Sequence, residues 1–209
     1  MKLINHDYSQ YLEVLSSNSP SPGGGSVSAI SGGLAVALFQ MVCNITKDKK
    51  EFAEKREEML DLVERTEVYK AFFARAVDED SEAFNLVIQA FRMPKDTEEE
   101  KSIRSEKIQE GYKHAAMVPF RVGEMGYEFI GYLEEAMDKT IASAITDIFS
   151  AALQIRACIV GAFINVKINL KSIKDEEFVQ ELTEKIQNYE YEMNKRIEKI
   201  LSEIEGVLI

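Results

Sequence analysis

Two long apolar stretches, at residues 27–45 and 141–168, limit what this chain can become more than any other feature. Each greatly exceeds the usual strand of about 4–8 residues, so each reads as a helix buried in a core or crossing a membrane. Polar groups that hydrocarbon penalises interrupt both: Gln40 and Asn44 in the first, Asp147, Gln154 and Arg156 in the second. Neither stretch is flanked by an aromatic belt. Both therefore read as buried helices in the middle of a soluble bundle.

The remainder is also helical in pattern. Tyr8, Tyr11, Leu12 and Leu15 mark a short amphipathic start. Residues 50–91 carry no Pro or Gly and predict one very long helix, stopped at Arg92-Met93-Pro94-Lys95. Thr97 and Glu100 make a capping box for the next helix, which Pro119 is expected to kink or divide before it resumes toward Met137. Ser172 and Asp175 open a last helix, in which Phe178, Leu182, Ile186, Tyr189, Met193, Ile197, Ile200 and Ile204 recur at steps of three and four. No useful strand alternation, repeat or linker interrupts the pattern. The expected class is all-α, a single-domain bundle of long helices over residues 1–209.

A chain of 209 residues can bury one substantial core. Its formal net charge of −11 argues against a nucleic acid or an anionic membrane as partner, since both demand a basic face. Cys43 and Cys158 stand far apart with no Cys-x-x-Cys spacing, and no basic-then-apolar leader precedes them. They read as reduced, buried thiols of a cytoplasmic protein. His6 and His114 are isolated, so nothing in the spacing assembles a transition-metal site.

The candidate site begins at Pro20-Ser21-Pro22-Gly23-Gly24-Gly25-Ser26, directly before the first apolar helix. Three consecutive glycines are costly to order and are expected where the backbone turns tightly or approaches something closely. Ser26 has the chemistry of an N-cap. Bare N–H groups and a helix's positive end then point at one spot, which suits a carboxylate, a phosphate or a polar ring edge. A glycine-rich turn with no ligand fits the same residues.

At roughly 100° per residue, Asp147 and Asn165 project from the second apolar helix in one direction, with Ser143, Ser150, Gln154, Cys158, Gly161 and Asn169 close to that line. On the first apolar helix Ser26, Gly33, Ala37, Gln40 and Asn44 share a narrow face. Such stripes either cross-bond two closely packed helices or line a wet cleft, and the cleft is the favoured expectation because unpaired buried polar groups are costly. Asp147, a carboxylate among apolar neighbours, is the leading acid/base candidate, against a buried salt bridge as the alternative. Asp80 lies among Asp78, Glu79 and Glu82, which reads first as a solvated acidic face. Arg92 and Lys95 can meet an anionic ligand or offset the terminal carbonyls of a helix.

Taken in order, Pro20-x-Pro22-Gly23-Gly24-Gly25-Ser26, Asp80-x-x-Ala83-Phe84-Asn85, Arg92-x-Pro94-Lys95 and Asn165-Val166-x-Ile168-Asn169-Leu170-x-x-Ile173-x-Asp175 resemble the cyclodeaminase domain of formiminotransferase-cyclodeaminase. That family also contains bacterial methenyltetrahydrofolate cyclohydrolases. The resemblance spans essentially the whole chain and lacks the formiminotransferase half. It implies an all-helical homodimer acting on a tetrahydrofolate derivative, with no tightly bound cofactor and no metal. The implied reaction is closure of 5-formiminotetrahydrofolate to 5,10-methenyltetrahydrofolate with loss of ammonia; the alternatives are methenyltetrahydrofolate cyclohydrolase and a non-catalytic helical interaction dimer. On this reading Asp147 is the principal acid/base with Asp80 second. Gln40, Asn44, Asn165 and Asn169 bond the pterin or its one-carbon unit, Gly23, Gly24, Gly25 and Ser26 position it, and Arg92 or Lys95 meets the glutamate tail. One departure stands out: where family members commonly carry a Gly-Asn loop before a Ser-Asp pair, this chain reads Lys139-Thr140-Ile141-Ala142-Ser143-Ala144-Ile145-Thr146-Asp147.

Overall fold

The computed structural model describes residues 2–137 and 139–208. Six α-helices account for most of them: α1 (Tyr8–Leu15), α2 (Gly24–Lys47), α3 (Arg56–Phe91), α4 (Glu98–Ala136), α5 (Ile145–Leu170) and α6 (Glu176–Leu208). Short 3₁₀ turns at Leu3–Asn5, Lys50–Lys55 and Ala142–Ala144 precede α1, α3 and α5. No strand occurs among the described residues.

The long helix expected over residues 50–91 is therefore a 3₁₀ turn, kinked at Phe52, that leads into α3. The caps signalled at Thr97 and Asp175 are present, and Asp7 adds another on α1. Asp7 and Gln10 form a capping box on α1, Thr97 and Glu100 form one on α4, and Asp175 accepts the Phe178 N–H at the start of α6. Pro119 does not divide its helix: α4 runs unbroken through it. Proline has no N–H, so the carbonyl four residues back, that of Ala115, loses its intrahelical donor. Asn169 on α5 repairs the loss, with Nδ2 donating to Ala115 O at 2.8 Å.

The two apolar helices lie at the centre. The most extensive contacts join α2 to α5, α2 to α3 and α4 to α5, and α6 packs across α5 and α4. Small residues let them approach. A Cβ on Gly32 would collide with Phe73 and Cys158, and one on Gly123 or Gly126 with Phe163 or Ile159. One core runs through all six helices, built on Phe39, Phe73, Phe129 and Phe163. The recurring apolar residues of α6 enter it as their spacing predicts; Ile186, Met193, Ile197 and Ile204 are fully covered.

Both α2 and α5 are long and apolar enough to cross a membrane by length and composition alone. In the bundle each buries one face and leaves the other bare, with Leu34 50% exposed on α2 and Ile164 57% exposed on α5.

Candidate functional site

The first turn of α2 meets α3 and α5 where the glycine run enters the bundle. Gly23 caps α2, and Gly24, Gly25 and Ser26 already lie in its first turn. Ser26 is thus not the cap that its chemistry suggested. Its hydroxyl instead donates to the Val77 carbonyl at 2.8 Å and lies 3.4 Å from the Ser81 hydroxyl, fastening α2 to α3. None of the described glycines has a positive φ, so the run does not serve a left-handed turn.

It serves the absence of side chains. A Cβ built on Gly25 would lie 2.0 Å from Asp80 Oδ1, and one on Gly24 would lie 3.1 Å from Asn165 Nδ2. On Gly23 a Cβ would meet nothing within 4 Å. Two bare backbone positions therefore let a carboxylate from α3 and an amide from α5 close onto the N-terminus of α2. Asn165 is held in place by its own bond to Gly161 O, at 2.8 Å.

Burial pushes the Asp80 carboxyl above the ordinary carboxylate range, and the backbone N–H and side chain of Ser26 bring it part of the way back. Tyr11 stands near it. Burial and then the Asp80 charge raise that phenol, whose buried hydroxyl has no partner among the described residues. Tyr11 also lines an apolar groove of about 460 Å³ with Leu3, Val27, Ile30, Leu34 and Val77. A desolvated carboxyl, an amide, helix N–H groups and an apolar wall thus converge at one end of the bundle. Tyr11 and Ser81 were not among the residues singled out from the sequence; each sits in an ordinary helical pattern.

Several expected site residues lie elsewhere. Gln40 is a strut between α2 and α3, its Nε2 within 3.2 Å of Val63 O, Thr66 Oγ1 and Glu67 Oε2, and its Oε1 accepting from Lys70 at 3.0 Å. It lies about 24 Å from Gly24 along the helix axis. Asn44, farther still, accepts from Lys47 at 2.6 Å. The expectation that the polar faces of α2 and α5 line one cleft fails here, because Ser26 and Gln40 turn toward α3. Asn169 spends its amide donor on Ala115. Arg92 and Lys95 are exposed beyond the end of α3, with Arg92 roughly 18 Å past Asp80 along the axis.

Asp147 is half-buried in the first turn of α5 and shares the direction of Asn165, but about 27 Å separates them along the axis. The close approaches Gly24–Asn165, Gly161–Ser28 and Gly32–Cys158 set α2 and α5 antiparallel, and the same register carries Asp147 to the level of Val42 and Cys43. Within one chain Asp147 does not share a pocket with the glycine run. The departing stretch before it is tied to α2 instead: Ile141 N–H donates to Thr46 Oγ1 at 3.3 Å. Cys43 and Cys158 are free and buried; burial pushes Cys43 up to about 12 and Cys158 higher still, which leaves both unreactive. Among the described residues no three His, Cys, Asp or Glu side chains are grouped to hold a metal ion.

Comparison with known proteins finds relatives along nearly the whole chain. Residues 7–188 match the family model described as formiminotransferase-cyclodeaminase. The methenyltetrahydrofolate cyclohydrolase of Methylorubrum extorquens is 34% identical over 196 residues, covering 92% of this chain and 94% of that protein. The formimidoyltransferase-cyclodeaminase of Mus musculus is 29% identical over 98% of this chain, which spans only 38% of the mouse protein. The crystal structure of formiminotetrahydrofolate cyclodeaminase from Thermotoga maritima superposes with a TM-score of 0.88 at 26% identity, each chain covered in full. The chain belongs to the formiminotransferase-cyclodeaminase family, whose cyclodeaminases and cyclohydrolases act on folate one-carbon units.

Proposed function

We propose that the chain closes 5-formiminotetrahydrofolate to 5,10-methenyltetrahydrofolate with release of ammonia, at the glycine end of α2. The observation that carries this reading is the half-buried Asp80 carboxyl laid over the bare Gly25 backbone, raised toward the neutral form by burial. Such a group can accept a proton in one step and return it in the next.

In ring closure N10 attacks the formimino carbon, forming the new N–C bond and giving up its proton. The imino nitrogen takes up protons and leaves as ammonia with the electron pair of the old C–N bond. A cationic methenyl bridge remains, and the carbon is neither oxidised nor reduced. Asp80 is suited to take the N10 proton and pass it to the departing nitrogen. Asn165 and the first N–H groups of α2 offer polar partners for the pterin edge, while Arg92 and Lys95 offer cations for the glutamate tail. Because the reaction is intramolecular, holding N5 and N10 in a reactive conformer supplies much of the rate. We further propose a homodimer in the cytoplasm, the location resting on two cysteines with no Cys-x-x-Cys spacing.

The full-length likeness to the Methylorubrum extorquens cyclohydrolase favours a second reading. Water then adds to the methenyl carbon, the bond to N5 opens, and the 10-formyl compound forms, with Asp80 moving the proton from water toward N5. Absorbance of the methenyl species separates the two. Its appearance from 5-formiminotetrahydrofolate supports the cyclodeaminase, and its accelerated loss without that appearance supports the cyclohydrolase. Asp80→Asn is expected to lower either rate by about 10²–10⁴. No turnover of either compound by the wild type would sink both readings.

A further inference from the structure

Tyr11 is the one buried residue of α1. Its neighbours Tyr8 and Leu12 are 79% and 43% exposed, whereas Tyr11 keeps 8% of its surface. The segment before it is pinned to α3: the Leu3 N–H donates to Asp78 Oδ1 at 2.6 Å, and the Asp7–Gln10 capping box then starts α1. Asp80 stands two residues past that anchor on α3. A phenylalanine ring would fill the same apolar space, yet this ring carries an oxygen that is buried and has no partner among the described residues. Such an oxygen is a net cost to the fold unless something outside the chain bonds it. The groove it lines shows where. Val77 lies one helical turn before Asp80 and Val27 lies two residues after Gly25, so the groove adjoins the carboxyl laid over the Gly25 backbone. A single hydroxyl set among Val27, Ile30, Leu34 and Val77 suits one small polar group better than the many-donor edge of a pterin. Burial, and then the Asp80 charge, keep the phenol protonated at neutral pH. It can therefore accept one hydrogen bond and donate another without surrendering its proton.

We propose that Tyr11 is a second catalytic residue, whose hydroxyl bonds the exocyclic heteroatom of the tetrahedral adduct and holds it against Asp80. This deepens the folate reading above and rests on it. In ring closure the bond from N10 to the formimino carbon forms, the N10 proton goes to Asp80, and the imino nitrogen becomes an amino group on the adduct. One N–H of that amino group donates to the Tyr11 oxygen, which turns the nitrogen lone pair toward Asp80. The lone pair takes the proton back, and the nitrogen leaves as ammonia with the electron pair of the old C–N bond. The positive charge that entered on the formiminium group stays on the methenyl bridge, so atoms and charge balance. Without Tyr11 the amino group is free to rotate, and its lone pair faces the carboxyl only part of the time. In ring opening the adduct carries a hydroxyl in the same place, and its O–H donates to the same oxygen.

The test is Tyr11→Phe, which removes one oxygen and leaves the ring, assayed with both folate substrates and by thermal unfolding. The Tm should hold or rise, because the lost atom had no partner in the protein. On whichever folate the wild type turns over, kcat should fall about tenfold with KM within about twofold, since the contact is made in the adduct rather than in the bound substrate. Placed in an Asp80→Asn background, the same substitution should cost less than about twofold, because the group it serves is already gone. A lower Tm marks the hydroxyl as structural and overturns the proposal. So does a kcat within about twofold of wild type, a loss confined to KM, or a full tenfold loss repeated in the Asp80→Asn background; each leaves the folate reading standing beside an active wild type. A wild type inert on both folates defeats that reading and the Tyr11 assignment together.

Discussion

Alanine substituted in turn at Gly23, Gly24 and Gly25 should separate three consequences that the sequence makes look equivalent. None of these positions has a positive φ, so alanine adds only a methyl group. At Gly25 that methyl would lie 2.0 Å from Asp80 Oδ1 and 2.4 Å from its Cγ, so the carboxyl must swing away from the Ser26 N–H. Losing a hydrogen bond to an ionised group costs about 1.5–3 kcal/mol, while alanine in place of glycine within a helical turn returns about 0.5–1 kcal/mol. The balance is a loss of about 0.5–2.5 kcal/mol, or about 1–10 °C in Tm for a chain of this size. Turnover should fall far more, by about 10² or greater, if the displaced group carries the proton as proposed. At Gly24 the methyl presses on Asn165 Nδ2 at 3.1 Å, so KM should rise more than kcat falls. At Gly23 nothing lies within 4 Å, and turnover should stay near wild type. Thermal unfolding with steady-state kinetics on the three variants reads all of this. A Gly25→Ala protein turning over within about threefold of wild type would refute the assignment of Asp80, as would an equal stability loss when Gly25→Ala is placed in an Asp80→Ala background.

Three further outcomes follow from the packing and the charges. Asn169→Leu should cost about 1–3 kcal/mol by orphaning the Ala115 carbonyl, and markedly less when Pro119→Ala restores a backbone donor; additive losses in a four-protein urea series would refute the repair. Because the folded-state pKa of Asp80 is raised, its contribution to stability is complete below the unfolded value of about 3.9 and is lost as pH rises through the folded value. The Tm of Asp80→Asn relative to wild type should therefore climb from pH 4 upward, and a flat difference would contradict the burial. Gly123→Ala would place a methyl 2.3 Å from the fully buried Phe163 ring, and calorimetry should show a Tm lower by about 2–12 °C.

The helices were largely legible because their signals are local. The three-and-four spacing of α6, the Thr97–Glu100 box and the breaks at Pro94 and Asp175 each depend on residues a turn or two apart. Pro119 misled because what spares its helix lies on another one: no local pattern announces that Asn169 will donate to Ala115, fifty-four residues away. Ser26 misled in a related way. Its position favours a cap, yet Gly23 takes that role and frees the hydroxyl to reach Val77 on α3. Asp80 looked like one member of a solvated acidic run, and only the empty space over Gly25 turns it inward. The wheel that aligned Asp147 with Asn165 was correct about direction but silent about distance along the axis.

What separates a strut from a site here is whether each polar group's bonding capacity is met by its own chain. Leaving a buried polar group unpaired costs about 1–3 kcal/mol, so a fold tends to supply partners wherever nothing else will. Gln40 has four partners from α3, Thr46 joins its own helix to the turn before α5, and Asn169 mends a proline's gap. The first two stiffen the bundle away from the glycine end, and the third fastens α5 to α4 close to it. At that end the pattern reverses: Tyr11 keeps an unpartnered hydroxyl, Asp80 is desolvated with only Ser26 opposing the shift, and two glycines remove the side chains that would have filled the space. A structural polar network would have closed those gaps. Their concentration beside the N-terminus of α2, on the flank of an uncovered apolar face, is what a small polar substrate would satisfy.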